Sequence, residues 1–568
     1  MGTFNSKTKS RMFHQHGLPT LVTGLFLSGL SSAATITVTN STDTIIDNSS
    51  CSLREAIINA NNNDQSGSTD CAAGEASTDV IVFDAATNNV PIVLTRTGSD
   101  NAAQFGDLDI TDDVIISGNG ADSVTEIDGN ATDRVFEIRN GASVQMLEIA
   151  VTNGGNVSTG AGIRVFDGSL TMQDAGVFSN NISVNAATNS GTGAGISANG
   201  NVSLTRVSVL GNDIDAADTR SGQGAGIYVG TGGRVSLVTS LVKDNTITTE
   251  GGTASGAGLY NIPSSGVTTN ISSTLFSGNQ AINNGNGNAS GGAINHQSGN
   301  LGILRGMFRN NLARTTDSGV VASGGAIAAF APITQLRNST FSGNLADGVD
   351  AAWGGAISLN DSATLNNVTI TLNQVQTSAG GTSNGGGIRR SSGTLTLSNT
   401  VVAGNTSSGN GPDCSGDVTS AGYNLIGNNS GCGFVEFMAE IVGDVAGGGS
   451  AIDPQLAALA DNGGAITIDG TSVPVLTHAP RAGSPVIDAA DPNEPGSGGT
   501  CETLDQPGNS RPIDGDEDGG AVCDIGAVEF TVESTASLGG GSSGGGGGGS
   551  ASPVALLIAA LAFAIRLR

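Results

Sequence analysis

One feature of the sequence limits the possible folds more than any other: two short motifs recur eight times, in fixed phase, between residues 160 and 405. The first is Gly-Ala-Gly-Ile or a close variant, and its last residue falls at Ile163, Ile196, Ile227, Leu259, Ile294, Ile327, Ile357 and Ile388. The second ends in an asparagine, which falls at Asn180, Asn212, Asn245, Asn279, Asn310, Asn344, Asn373 and Asn405. A period of roughly 30 residues, sustained over many copies, is the signature of a solenoid.

Each repeat contains three short runs that are rich in Val, Ile, Leu and Thr and bounded by Gly and Asn, a composition typical of β-strands. Three strands per turn predict an all-β, right-handed parallel β-helix (solenoid) with disulfide-stapled end caps. It has about eleven rungs if the tighter runs at 114–116, 135–138 and 144–149 are included. The Ile residues would stack between rungs, the Asn residues would hydrogen-bond along the axis, and insertions such as 180–190 and 279–289 would form polar loops.

The chain of 568 residues has 50 acidic and 22 basic residues, which give a formal net charge of −28. This balance excludes nucleic acid as a partner, because phosphate binding depends on patches of Lys and Arg. Only 4% of the residues are aromatic and 88 are glycine, so the core must be built from stacked small aliphatic side chains. The hydrophobic fraction of 37% is too high for a disordered chain.

Both ends of the chain have the composition of targeting segments. Residues 1–34 have a basic start, an apolar stretch and small residues at their end, which predicts a signal peptide cleaved near Ala33 and Ala34. A short membrane anchor is the alternative. A Gly/Ser-rich tether at 534–553 precedes a hydrophobic segment with a basic end at 554–568, the order of a stop-transfer signal.

This tail resembles the GlyGly-CTERM sorting signal of Gram-negative exported proteins. The resemblance implies transient anchoring in the inner membrane, cleavage near Gly539 and Gly540 by a sorting protease of the rhomboid type, and passage to the cell surface. An uncleaved tail anchor is the alternative.

The six cysteines fall into three local couples: Cys51 with Cys71, Cys414 with Cys432, and Cys501 with Cys523. Because an exported protein meets an oxidising compartment, we predict one disulfide in each couple. All three couples lie outside the repeats at 111–410. We therefore expect them to staple an N-terminal cap over 35–110 and a C-terminal cap over 411–533.

Residues 51–57 read Cys-Ser-Leu-Arg-Glu-Ala-Ile and match the CSLREA motif that heads a family of exported bacterial proteins. They predict a short helix over the bottom rung, with Ser52 as its N-cap and Glu55 three residues later. Arg54 and Glu55 are expected to belong to a salt-bridged cap, with a catalytic pair as the alternative. Residues 476–529 resemble the choice-of-anchor module that precedes C-terminal sorting signals, except that Pro507 stands where that family has Arg.

The repeats at 160–405 are similar to the GGA[ILV] and FxxN repeats of chlamydial polymorphic outer-membrane proteins. Those proteins are surface adhesins, so the resemblance implies that the repeats mediate adhesion.

One acidic stretch suggests a metal site. Asp514, Asp516 and Asp518 alternate before a glycine, as in the first half of a calcium loop, and Asp524 or Glu529 would complete the ligands. Calcium is the one candidate cofactor, and the sequence requires none. A solvated acidic loop is the alternative.

Catalytic motifs are scarce. Beyond the signal segment the histidines are His296, expected at an exposed strand position, and His478, and neither lies beside a nucleophile motif. Parallel β-helices include enzymes that cleave polysaccharides with Asp or Arg on neighbouring rungs, but the aligned repeats contain no such column. The scattered candidates are Asp167, Asp244, Arg305, Arg309, Arg389, Arg390, Trp353, Tyr228 and Tyr260.

We therefore expect an exported bacterial cell-surface or extracellular protein, an adhesin or surface-structure protein without catalytic activity. Its partner would be a glycan or protein of a host or environmental surface. A polysaccharide lyase or glycoside hydrolase that acts on extracellular glycans is the alternative.

Overall fold

A computed structural model describes residues 33–120, 123–185, 189–378, 380–435, 440–442, 449–468, 470–496 and 499–531. Most of the expected signal peptide lies outside the described residues, as do the tether with Gly539 and Gly540 and the hydrophobic tail. In the described ranges no helix is both long enough and apolar enough to cross a membrane.

The chain forms a β-solenoid of about ten turns, which confirms the parallel β-helix with slightly fewer rungs than the expected eleven. A full turn contains four strand positions. They are represented by Ile196–Ala198 in sheet I, Asn201–Leu210 in sheet II, Asp213–Ala216 in sheet III and Gly222–Gln223 in sheet IV. Each strand pairs in parallel with the equivalent strand of the next turn.

The strands of sheet I are Leu108–Ile110, Phe136–Ile138, Ile163–Val165, Ile196–Ala198, Ile227–Val229, Leu259–Asn261, Ile294–His296, Ile327–Ala329, Ile357–Leu359 and Ile388–Arg390. Those of sheet II are Thr35–Val38, Asp79–Phe83, Ile92–Val93, Val114–Ser117, Thr125–Asp128, Ser143–Leu147, Ile149–Thr152, Ser169–Phe178, Asn201–Leu210, Arg234–Val238, Leu241–Lys243, Thr268–Ser272, Leu275–Ser277, Asn300–Leu304, Met307–Arg309, Ile333–Ser342, Ala363–Thr371, Leu395–Ser398, Val401–Val402, Leu425–Ile426, Cys432–Val435 and Ile441–Val442. Strand Cys414–Ser420 pairs with both sheets. The parallel stacking therefore extends beyond residues 111–410 at both ends.

The strands of sheet III are Asn181–Val184, Asp213–Ala216, Thr246–Thr249, Gln280–Asn283, Leu312–Thr315, Leu345–Gly348, Gln374–Thr377 and Thr406–Ser407. Those of sheet IV are Gly191–Thr192, Gly222–Gln223, Ala254–Ser255, Ala289–Ser290, Val321–Ser323, Ala351–Trp353 and Thr382–Asn384. The expectation of polar loops at 180–190 and 279–289 is therefore wrong, because each segment contains a strand of sheet III and leads into a strand of sheet IV. Alternating side chains such as Ile182 and Val184 build a second, smaller core with buried alanines, among them Ala254 of sheet IV and Ala225 of the first motif.

The Ile column of the first motif is confirmed: Ile163 pairs with Ile196 and Ile196 with Ile227, and the register continues to Ile388. In sheet II, the rings of Phe276, Phe308 and Phe341 stack with centroids 5.1 and 4.5 Å apart. Both columns face the main core between sheets I and II.

The asparagines also stack as predicted. The Nδ2 of Asn279 donates to the Oδ1 of Asn311 (3.0 Å) and to the carbonyl of Val242 (3.0 Å), and equivalent bonds recur along the axis. The fifth ladder residue is Asn311, so the assignment of Asn310 is wrong by one position. Asn310 occupies the exposed left-handed turn (φ 53°) where the neighbouring repeats have Gly278 and Gly343.

A helix at Leu53–Asn62 packs against the first strands of the stack, and a 3₁₀ turn forms at Ala85–Thr87. The predicted capping box is present: the Ser52 side chain accepts from the Glu55 backbone, and the Glu55 carboxylate accepts from the Ser52 backbone. The expected salt bridge of the cap is also present, and its acidic partner is Asp43, which pairs with Arg54.

The C-terminal segment does not simply cap the end of the solenoid. A hairpin of Ile466–Ile468 and Thr471–Val473 packs on Leu241, Leu275 and Met307, outward-facing residues of sheet II, and Ala460–Asp461 pairs with Leu476–Thr477. The segment around the third disulfide packs against Val401 and Leu425. This segment (the described residues of 449–531), which we call the flanking segment, therefore runs back along the solenoid and covers an apolar stripe of sheet II.

All three predicted disulfides are present, with Cα–Cα distances of 4.9 Å for Cys51–Cys71, 5.2 Å for Cys414–Cys432 and 6.6 Å for Cys501–Cys523. The second bond joins the last rungs, and the third lies within the flanking segment.

The ladder can be tested by replacing Asn311 with Ala. The change removes buried hydrogen bonds to Asn279, Asn344 and Phe276, so we expect the free energy of unfolding to fall by at least about 2 kcal/mol. Chemical denaturation measures the change. The matched control is Asn310→Gly, which should stay within about 0.5 kcal/mol of the parent. Equal effects of the two variants would contradict the assignment.

Candidate functional site

Three charged residues align on neighbouring rungs of sheet I, where no Asp/Arg column was expected. Asp109 pairs in register with Glu137, and Glu137 with Arg164. The aligned repeats did not reveal this column, because Asp109 and Glu137 lie in the shorter turns that precede them. We call Asp107, Asp109, Glu137, Arg134, Arg139 and Arg164 the acid–arginine cluster.

Glu137 is the centre of the ion pairs in this cluster. Its Oε2 lies 2.8 Å from the Nη1 of Arg139, and its Oε1 lies 2.9 Å from the Nη1 of Arg164. The Nη1 of Arg134 lies 2.6 Å from Asp107 and 3.5 Å from Glu137. Because Glu137 is almost fully buried, these arginines supply the compensation that a buried carboxylate needs.

Asp109 is the least compensated member. Its side chain is completely buried, its Oδ2 accepts from the backbone of Ala103 (3.2 Å), and its Oδ1 has no partner in the described chain. Burial, with the nearby charge of Asp107, raises the pKa of Asp109 to about 7. Burial likewise raises the pKa of Asp107 to about 6, against the opposing effect of Arg134.

Arg54 of the CSLREA motif holds the loop that covers the cluster. Its guanidinium donates to the carbonyls of Ala103 (2.9 Å), Gly106 (2.8 Å) and Asp107 (3.2 Å) and pairs with Asp43. The side chain is fully buried, so its role is to position this loop.

A cavity of about 580 Å³ opens beside the cluster. Its lining residues are Thr97, Gly98, Ser99, Ala131, Thr132, Asp133, Asn156 and Val157. Asp133 is the acidic residue of this lining, and burial raises its pKa. The members of the acid–arginine cluster do not line the cavity.

The carboxylates of Asp107, Asp109 and Glu137 offer oxygens within 4.8 Å of one another, a spacing that suits either a cation or a shared proton. Three arginine charges already balance the three carboxylates. A divalent ion would leave an excess of two positive charges here, whereas a single proton on Asp109, whose Oδ1 has no partner in the described chain, would leave an excess of one.

The structure does not assemble the four expected calcium ligands. Asp514 and Asp516 lie with Asp488, which sequence reasoning missed because it is 26 residues away and in no acidic pattern. Asp518 is outside this group and accepts from the backbone of Gly520 (2.8 Å). Asp524 is instead buried, and burial together with Glu529 raises its pKa.

The expectation for His296 is wrong, because the ring is fully buried inside the solenoid. Its Nδ1 lies 2.9 Å from the amide of Asn261, and burial lowers its pKa to about 4. His478 is buried under the flanking segment, where it contacts the hydroxyl of Ser342 (2.9 Å) and the carbonyl of Ala457 (2.8 Å). The contact with Ser342 joins residues 136 positions apart, so no sequence motif could reveal it.

The aromatic candidates are not isolated. Tyr228 stacks on Tyr260 with ring centroids 5.5 Å apart, and the guanidinium of Arg389 lies 4.1 Å from the ring centroid of Trp353.

Compared with protein-family models, curated proteins and solved structures, the chain matches none of them.

The raised pKa of Asp109 predicts a pH dependence of stability. The folded state favours the protonated acid, so its contribution is complete below the ordinary value of 3.8 and is lost as pH rises through about 7. We expect Asp109→Asn to flatten the decrease in unfolding free energy between pH 4 and 8 and to be more stable than the parent at pH 8. Thermal and denaturant unfolding across this range measure both effects. An unchanged slope, equal to that of the exposed control Asp317→Asn, would refute the assignment.

Proposed function

We propose that the protein is exported and acts at the cell surface or outside the cell, as an adhesin or surface-structure protein without catalytic activity. The supporting observation is the architecture itself: about ten turns seal two apolar cores and leave the outward-facing side chains free to differ between rungs. Solenoids use such extended outer surfaces for binding. The three disulfides suit an oxidising location.

The proposal includes the processing steps that the sequence suggests. The signal segment is removed near Ala33 and Ala34, the tail is cut near Gly539 and Gly540 by a rhomboid-type protease, and the product reaches the surface of a Gram-negative cell. Calcium binding by Asp514 and Asp516 would then involve Asp488, with which they lie, in place of Asp518 and Asp524.

Deletion of the gene tests surface action. We expect the deletion strain to attach to glycan-coated or protein-coated surfaces several-fold more weakly, and the intact gene to restore attachment. A Gly539→Val/Gly540→Val variant should accumulate uncleaved protein and restore it poorly, because the bulkier residues obstruct the protease. Surface labelling and mass spectrometry follow location and cleavage. Unchanged attachment of the deletion strain to every surface tested would refute an adhesive role.

A second candidate function is glycan cleavage, and one observation favours it. Asp133, with a raised pKa, lines the cavity beside the acid–arginine cluster, and a carboxyl group of raised pKa suits a general acid.

Purified protein mixed with acidic and neutral polysaccharides tests this candidate by the release of reducing ends or unsaturated uronates. Under the catalytic alternative, Asp133→Asn should abolish the products, whereas the control Asp167→Asn, on a turn outside the cavity lining, should leave them unchanged. Under the proposed non-catalytic function, all three proteins should be inactive.

A further inference from the structure

Trp353 and Arg389 meet on the outside of the solenoid although 36 positions separate them in the chain. Trp353 ends a strand of sheet IV whose preceding residue, Ala352, faces the core, so the indole faces outward. Arg389 follows the buried Ile388 in sheet I and is directed outward for the same reason. Its guanidinium reaches back one turn and lies 4.1 Å from the centroid of the Trp353 ring.

Arg389 differs from the other arginine of its strand in having no counter-charge. In the described chain no carboxylate lies within ion-pairing distance of Arg389, and its Nη1 is shielded from water without an acceptor. Burial lowers the pKa of Arg389, and no neighbouring acid opposes this effect. Arg390, in contrast, pairs with Asp417 (3.0 Å) and donates to the carbonyl of Gly393.

An uncompensated, half-buried guanidinium is unusual in a chain with 50 acidic residues and a net charge of −28. Its planar donors match a carboxylate, and the adjacent indole offers an apolar face. A carboxylate attached to a sugar ring satisfies both groups at once, because the acid can pair with the guanidinium while the ring contacts the aromatic surface.

The same register position of sheet I carries the stacked pair Tyr228 and Tyr260, five and four turns before Arg389. Tyr260 is buried, as are Asn295, Ala328 and Ser358 between it and Arg389, so the exposed part of the site is confined to Arg389 and Trp353.

We propose that Arg389 and Trp353 form a binding subsite for a uronate residue of an acidic polysaccharide. This inference rests on the proposed surface function and names the chemical class of its ligand.

Trp353 is the only tryptophan of the chain, so its fluorescence reports directly on the site. We expect polygalacturonate to cause a saturable change in the emission of the purified protein, and neutral dextran to cause none. Arg389→Gln should weaken the apparent affinity at least tenfold, and added salt should weaken binding by the parent protein. Arg390→Gln is the matched control for a change of net charge and should bind like the parent.

Equal binding of polygalacturonate by the parent and Arg389→Gln would overturn the assignment, as would an equal response to dextran. Thermal unfolding verifies that each variant is folded. If Arg389→Gln is unfolded, Arg389→Lys decides: it keeps the charge but loses the planar pair of donors, and it should bind more weakly than the parent. If the purified protein binds no polygalacturonate but deletion of the gene still weakens attachment of cells, this ligand is rejected and the surface function stands. If the protein binds no polygalacturonate and deletion leaves attachment unchanged, both proposals are rejected.

Discussion

The asparagine ladder is the interaction on which the rest of the solenoid depends. Each buried amide accepts from one neighbour and donates to another, so the ladder satisfies its polar groups only when successive turns are in register. The ladder runs between the two apolar cores. A Cβ atom at Gly195 would lie 3.1 Å from the amide of Asn212, which explains why glycines accompany the ladder. One polar column thus fixes the register of the turns between Asn180 and Asn405.

Carboxylates end or interrupt this regular interior at a few positions. Asp413 takes the place of the next asparagine: its Oδ1 accepts from both the backbone and the side chain of Asn405, and burial raises its pKa to about 6. Asp109 of the acid–arginine cluster is likewise a buried carboxylate beyond the end of the ladder. It accepts from the backbone of Ala103, in the loop that Arg54 holds. Both buried carboxylates therefore lie where the regular repeat stops.

The sequence predicted the Ile column, the disulfides and the capping box, because each depends on local spacing. It failed for Asn310, since the spacing of FxxN had to be counted from Phe308, which places the ladder residue at Asn311. It failed for His296 because strand alternation did not reveal which face that residue takes. The Asp109–Glu137 column was missed because its turns are shorter than the repeats that guided the alignment.

The sequence by itself determined that the chain stacks: a motif repeated with aliphatic, glycine and asparagine residues in constant phase can bury its apolar faces only against its own copies. Only the tertiary structure decided which residues of different turns lie in contact. The flanking segment covers Leu241, Leu275 and Met307 because those residues form one apolar stripe only after stacking. Arg389 meets Trp353 for the same reason. Contacts between residues a turn or more apart depend on register and on which sheets adjoin, and no local pattern encodes these.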